Sequence, residues 1–149
     1  MKTIQSVLVS AALAVATAAP ASAGVNDPEI ILYRVSGVLN GNGATAFFCT
    51  NFSGVNENIR IVIRNADSPV LFNGAFPIAH LNTLAATTKG VGAYGGLNLA
   101  LGAFQGTAAI AATSVNITCT AMQVDAASSS PQGIALHMTR FNPIAGTQE

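Results

Sequence analysis

The sequence predicts an all-β fold, an antiparallel β-sandwich of about seven or eight strands in residues 24–149. Short apolar segments rich in β-branched residues recur along the chain. Asn-Gly, Asp-Ser-Pro and Ser-Ser-Ser-Pro separate them, each with its own turn chemistry. No segment sustains a strong helical period.

Ile30–Leu39 reads as the first strand and ends at Asn40-Gly41-Asn42-Gly43. Asn-Gly tolerates the positive φ of a tight hairpin, so Ala44–Phe52 should return antiparallel to it. Asn58–Arg64 alternates, with Ile59, Ile61 and Ile63 on one face and Arg60, Val62 and Arg64 on the other. That is a half-buried strand. Asp67-Ser68-Pro69 turns the chain into Val70–Ile78, interrupted at Asn73-Gly74 by a bulge or second turn. His80–Thr88 fits a strand or a connecting loop. Lys89–Gly106 holds six of the fourteen glycines and reads as an irregular excursion with a short strand near Leu97–Leu101. Ala108–Ala112 has helical propensity, but the flanking Gly106-Thr107 and Thr113-Ser114-Val115 favour a strand. Val115–Val124 places Val115, Ile117, Cys119 and Ala121 on one face. Ile134–Phe141 is the last strand, with Ile134, Leu136 and Met138 inward. The tail 142–149 is polar.

Residues 1–23 read as a secretory signal peptide. Lys2 supplies the positive start, Val7–Ala19 the apolar run, and Ala21-Ser22-Ala23 a small-residue cleavage site, so the exported chain begins at Gly24. The run is shorter than the roughly 20 residues of a spanning helix, and Asn98, Gly102, Gln105 and Gly106 break the other apolar stretch, Leu97–Ala112. The expected address is secreted or periplasmic, without stable membrane insertion. The chain carries 6 Lys and Arg against 6 Asp and Glu, and only 8% of its residues are charged. Such a chain has no electrostatic footprint for nucleic acid, and its weak net charge leaves copies free to associate.

Cys49 and Cys119 are the two cysteines. Export and the absence of a C-x-x-C point to one structural disulfide, not a redox or zinc pair. Cys49 falls on the second expected strand and Cys119 on the penultimate one. In this the layout resembles an immunoglobulin-like sandwich, which implies a bridge crossing between two sheets. The Trp that packs on that bridge in antibody domains has no counterpart, as the chain has no Trp. Cys49-Thr50-Asn51-Phe52-Ser53-Gly54, Gly106–Cys119 and Arg140-Phe141-Asn142-Pro143 also resemble a group of small exported bacterial proteins of unassigned activity. That resemblance implies a binding or structural role and carries over no site residue.

Several groups of side chains bear on chemistry. Zinc ligation by Cys49, His80, Cys119 and His137 fits no known spacing and would forbid the disulfide. No Ser lies in a Gly-x-Ser-x-Gly elbow, and Glu57, Asp67 and Asp125 read as turn and strand-end carboxylates, not a glycosidase pair. Gly90-Val91-Gly92-Ala93-Tyr94-Gly95-Gly96 lacks the phosphate-loop Lys and reads as a flexible surface loop. Tyr94 on it is an exposed aromatic suited to contact a sugar or protein. Arg60 and Arg64 share one strand face and would form a basic patch with Arg34 or Arg140 if those strands are neighbours. Asn51-Phe52-Ser53 and Asn116-Ile117-Thr118 match a glycosylation pattern inside expected strands, as coincidences. No catalytic, cofactor or metal residue is assigned. The reading is a non-enzymatic binding or assembly protein with an unknown protein or glycan partner or a second copy. The alternative is a small carbohydrate-binding or hydrolytic module.

Overall fold

A computed structural model describes Gly24 and residues 26–141. The expected signal peptide, residues 1–23, and the tail 142–149 lie outside the described residues. Ten strands follow in order: β1 (Ile30–Asn40), β2 (Ala44–Asn51), β3 (Glu57–Asn65), β4 (Val70–Ile78), β5 (Thr83–Thr87), β6 (Leu97–Asn98), β7 (Phe104–Ala112), β8 (Ile117–Val124), β9 (Gly133–Ala135) and β10 (Met138–Arg140). A single 3-10 turn, Gly92–Tyr94, is the one helical element among the described residues. All ten strands belong to one sheet, antiparallel except where β5 runs parallel to β6.

The sheet has two wings. One runs β4-β3-β7-β1-β10 and the other β6-β5-β2-β8-β9. They join where Asn40 of β1 faces Ala44 of β2. The sheet curls there like a half-barrel, so both wings bury one shared core. Leu32, Ile59, Ile61, Ile63 and Ile110 come from the first wing, and Phe47, Ile117, Cys119 and Ala121 from the second. The alternation of β3 is realised, with Ile59, Ile61 and Ile63 fully buried. Each such side chain contributes about 2–3 kcal/mol relative to exposure. Tyr33 crosses between the wings, its hydroxyl donating to the Ile117 carbonyl at 3.2 Å.

The Asn40–Gly43 turn forms, but β2 leaves β1 at once instead of pairing along it. Threonine hydroxyls take over the groups a ladder would use. Thr45 Oγ1 accepts the Leu39 amide at 2.9 Å, and Thr88 Oγ1 donates to the Leu39 carbonyl at 2.8 Å. β1 then pairs with β7, and β2 with β5 and β8. The alanine-rich segment is strand β7, sandwiched between β3 and β1. Gly106 begins that close approach, since a Cβ there would sit 1.9 Å from the Arg64 carbonyl oxygen.

Four sequence expectations change. The cysteines are bonded to each other, but not across two sheets: Cys49 and Cys119 are directly opposite on neighbouring β2 and β8, with Cα atoms 4.1 Å apart. Their register makes them a close antiparallel pair whose side chains both point to the core, so the bridge ties two adjacent strands. The argument for an immunoglobulin-like layout from a sheet-to-sheet bridge is thereby removed. β4 passes through Gly74 without interruption, and its register shift lies nearer the turn, between Ile63 and Arg64 on the partner strand. Val115 is exposed in a loop, where the Ser114 hydroxyl accepts the Asn116 amide and delays the strand to Ile117. The last segment splits at Leu136–His137, because β9 pairs with β8 and β10 pairs with β1. Ile134 is consequently exposed, not inward.

Candidate interaction surface

The two wings present chemically different outer faces. On the first, Val62 of β3, Ala109 of β7 and Arg34 of β1 stand in one register row, and Arg64, Thr107 and Ser36 in the next. Arg34 and Arg64 therefore flank a hollow of about 140 Å³ floored by small residues. Arg60 lies on the same face and is paired with Glu29 at 2.5 Å, whose accepted hydrogen bond and negative charge raise the guanidinium pKa further. Arg64 donates to the Ser68 carbonyl at 3.0 Å, and Arg34 lies 5.5 Å from the Phe141 ring centre. The structure thus gathers Arg34, Arg60 and Arg64. Arg140 stands apart at the β10 edge, over the Tyr33 ring and bonded to the Val115 carbonyl.

The second wing carries no charged residue in any of its five strands. Its outer face has rows set by register. Phe48 faces Ala85 and Thr120, and Thr50 faces Thr83 and Thr118. One half of this face is roofed. Val91 and Tyr94 of the glycine-rich loop pack on Ala44, Ala46, Phe48 and Val124. Tyr94 is half-buried, not exposed: its ring meets Phe48 edge-on at 5.3 Å, and its hydroxyl donates to the Pro131 carbonyl at 3.4 Å. It anchors the loop.

The other half is open. Thr83, Thr118 and Thr120 are exposed, Thr50 is partly so, and the Thr50 and Thr83 hydroxyls are bonded at 2.8 Å. Beyond them lie Phe52, 54% exposed, and Leu81, 63% exposed. Fully buried Asn51 fixes both. Its side-chain amide donates to the Val55 carbonyl at 2.7 Å and the Ile78 carbonyl at 3.0 Å, and its oxygen accepts the Ser53 amide at 2.8 Å. Its main-chain carbonyl accepts the Leu81 amide at 2.7 Å, while the Phe52 amide donates to the Asn116 carbonyl at 2.9 Å. Leu81 is held at φ 62°, an uncommon conformation for a side chain of its size. Two large apolar groups are therefore presented to solvent on a backbone that cannot easily withdraw them.

The residues weighed for catalysis are not brought together. Cys49 and Cys119 are used in their disulfide, His137 is exposed, and exposed His80 accepts the Gly54 amide through Nδ1 at 3.0 Å. Asp67 is exposed, and exposed Asp125 caps its own turn through the Ala127 amide. Glu57 differs from the expected solvated carboxylate. It is fully buried at the start of β3, where Oε2 accepts the Thr113 hydroxyl at 2.5 Å and Oε1 has no partner among the described residues. Thr113 Oγ1 also accepts the Asn58 amide, so one hydroxyl serves both groups. An open hollow of about 480 Å³ beside Gly37, Leu39, Ala66 and Gln123 has no titratable side chain in its lining.

No protein-family model and no curated protein matches the sequence. Among solved structures the chain is similar to the crystal structure of Thermotoga maritima 1070. The TM-score is 0.50 at 14% identity, over 76% of this chain and 96% of that one. At that identity the likeness concerns the fold alone.

Proposed function

We propose that the protein is an exported, non-enzymatic binding or assembly domain, and that the open half of the β5-β2-β8 outer face is its contact surface. The observation that carries this reading is the absence of charge from β5, β2 and β8, whose exposed side chains are threonines flanked by Phe52 and Leu81. A face without charge needs little desolvation to be covered, and a presented aromatic ring supplies much of the contact energy in such surfaces. The disulfide is consistent with an oxidising compartment outside the cytoplasm. We read the two wings, which share one core, as the layers of an immunoglobulin-like sandwich.

One observation favours a glycan as the partner: threonine hydroxyls lie in rows beside an exposed ring, so sugar hydroxyls and C–H faces would both find matches. Retention on insoluble neutral polysaccharides tests this directly. Loss of retention in Phe52→Ala and Thr118→Lys, with Arg64→Ala unaffected, supports the glycan reading. Retention that survives both face substitutions overturns it.

A further inference from the structure

We infer that strand β4 is a homodimerisation edge, pairing antiparallel with β4 of a second copy about a twofold axis through Gly74. This concerns a surface separate from the threonine face and stands independently of it.

The sheet has four terminal strands, and three of them are short: β6 has two residues, β9 and β10 three each. β4 has nine, and it pairs with β3 alone among the described residues. A long free edge is a template for another strand; soluble proteins block it with charge, proline or a bulge, and here Pro77 and the register shift beside Val70 leave the middle of β4, Phe72–Phe76, free to pair. Val70–Ile78 has no charged residue, and Val70 and Leu71 are exposed.

The occupant is argued from the strand's own pattern. A twofold interface must be self-complementary. Phe72-Asn73-Gly74-Ala75-Phe76 is nearly symmetric about its glycine. Pairing about Gly74 sets Phe72 opposite Phe76 of the second copy, and Asn73 opposite its Ala75. The two rings already lie nearly parallel, 6.2 Å apart and 9° between planes, and partly buried against the core. The seam would extend them into a row of four. Gly74 leaves room for the Phe72 ring, whose tip would lie 2.7 Å from a Cβ there.

Hydrogen-bonding parity agrees. Pro77 has no N–H, and within a sheet proline sits where that missing donor faces away from the neighbouring strand. By alternation, Ala75 and Asn73 also direct their N–H and C=O groups outward. These are the two residues that the proposed register sets opposite each other, so each Asn73–Ala75 pair exchanges two bonds. The groups beyond the strand ends are complementary as acceptor and donor. Asp67 precedes β4 and His80 follows it, so the antiparallel arrangement brings the carboxylate of one copy toward the imidazole of the other. His80 Nδ1 accepts the Gly54 amide, which leaves Nε2 to donate.

Sedimentation velocity on the purified protein across a concentration series, with Ala75→Pro and Ala75→Val, tests the inference. The unsubstituted protein and Ala75→Val should form a dimer. Ala75→Pro removes an outward N–H without touching the β3 ladder, and should weaken dimerisation roughly tenfold or more with an unchanged circular dichroism spectrum. Register is read by mixing Asn73→Cys protein with Ala75→Cys protein under mild oxidation, which should give cross-linked dimers that neither forms alone. A monomer at every concentration, an Ala75→Pro protein that dimerises like the original, or dimers that fail to cross-link in the mixture would each overturn it. The last result, with dimers lost on Thr118→Lys, would place association on the threonine face instead.

Discussion

Two buried polar arrangements show how single residues set this fold's stability. The Cys49–Cys119 bridge closes a separation of 70 residues, which in the chain-entropy account stabilises the folded state by about 4 kcal/mol. Cys49→Ala with Cys119→Ala should therefore lower the unfolding free energy in urea by that order, with the β-type spectrum retained at low temperature. Thr113 is the second case, because its hydroxyl serves both the buried Glu57 carboxyl and the Asn58 amide. Thr113→Val should destabilise by about 3 kcal/mol, since a buried ionisable group loses its partner. Thr113→Ser, which keeps the hydroxyl, should fall within about 1 kcal/mol of the original protein. A larger loss in Thr113→Ser than in Thr113→Val would show that the methyl contacts, not the hydrogen bonds, set the cost. The cysteine pairing was legible in the sequence, because an expected export and two thiols leave one simple outcome. The burial of Glu57 was not. It sits one alternation step from Ile59 on the core face, but a carboxylate at a strand start looks the same as a solvated one until Thr113 is brought beside it.

At the scale of elements, local patterning identified most strands and misjudged their neighbours. The alternation of Ile59, Ile61 and Ile63 and the turn at Asp67-Ser68-Pro69 were sufficient to place β3 and β4 as consecutive strands, which the structure pairs antiparallel. The Asn-Gly turn after β1 reads as a hairpin, yet β2 pairs elsewhere. The hydroxyls of Thr45 and Thr88 cap Leu39, and that depends on contacts distant in sequence. The glycine-rich loop gives the clearest case of an exposure that local patterning overstates. Tyr94 reads as an exposed aromatic, but it is half-buried and closes the outer face over Phe48 and Met122. Tyr94→Ala should cost about 2 kcal/mol, less than a fully buried aromatic because the ring is half-exposed. It should also speed hydrogen exchange in residues 89–96. An unchanged exchange pattern would mean that the loop is held by Val91 and its backbone bonds alone.

For the whole molecule, the decisive property is the uneven distribution of charge. Arg34, Arg60 and Arg64 stand on one outer face, while the strands of the opposite wing have no charged side chain at all. Composition showed that charge was scarce; only the strand order shows that it is segregated. Neither Phe52 nor Leu81 stood out in the sequence as a surface group, because Phe52 continues an apolar strand and Leu81 follows a loop. Their presentation depends on Asn51, whose local bonds to Ser53 and Val55 are joined by one to Ile78, from a segment distant in sequence. The central claim is that this uncharged face is covered when the protein is at work. Hydroxyl-radical footprinting of the protein in its native compartment, compared with the purified protein, tests that most directly. Oxidation of Phe52 and Leu81 should fall several-fold in the native setting, while Ile134, 75% exposed on the β9 edge, should react equally in both. Equal oxidation of Phe52 and Leu81 in the two settings would contradict the account.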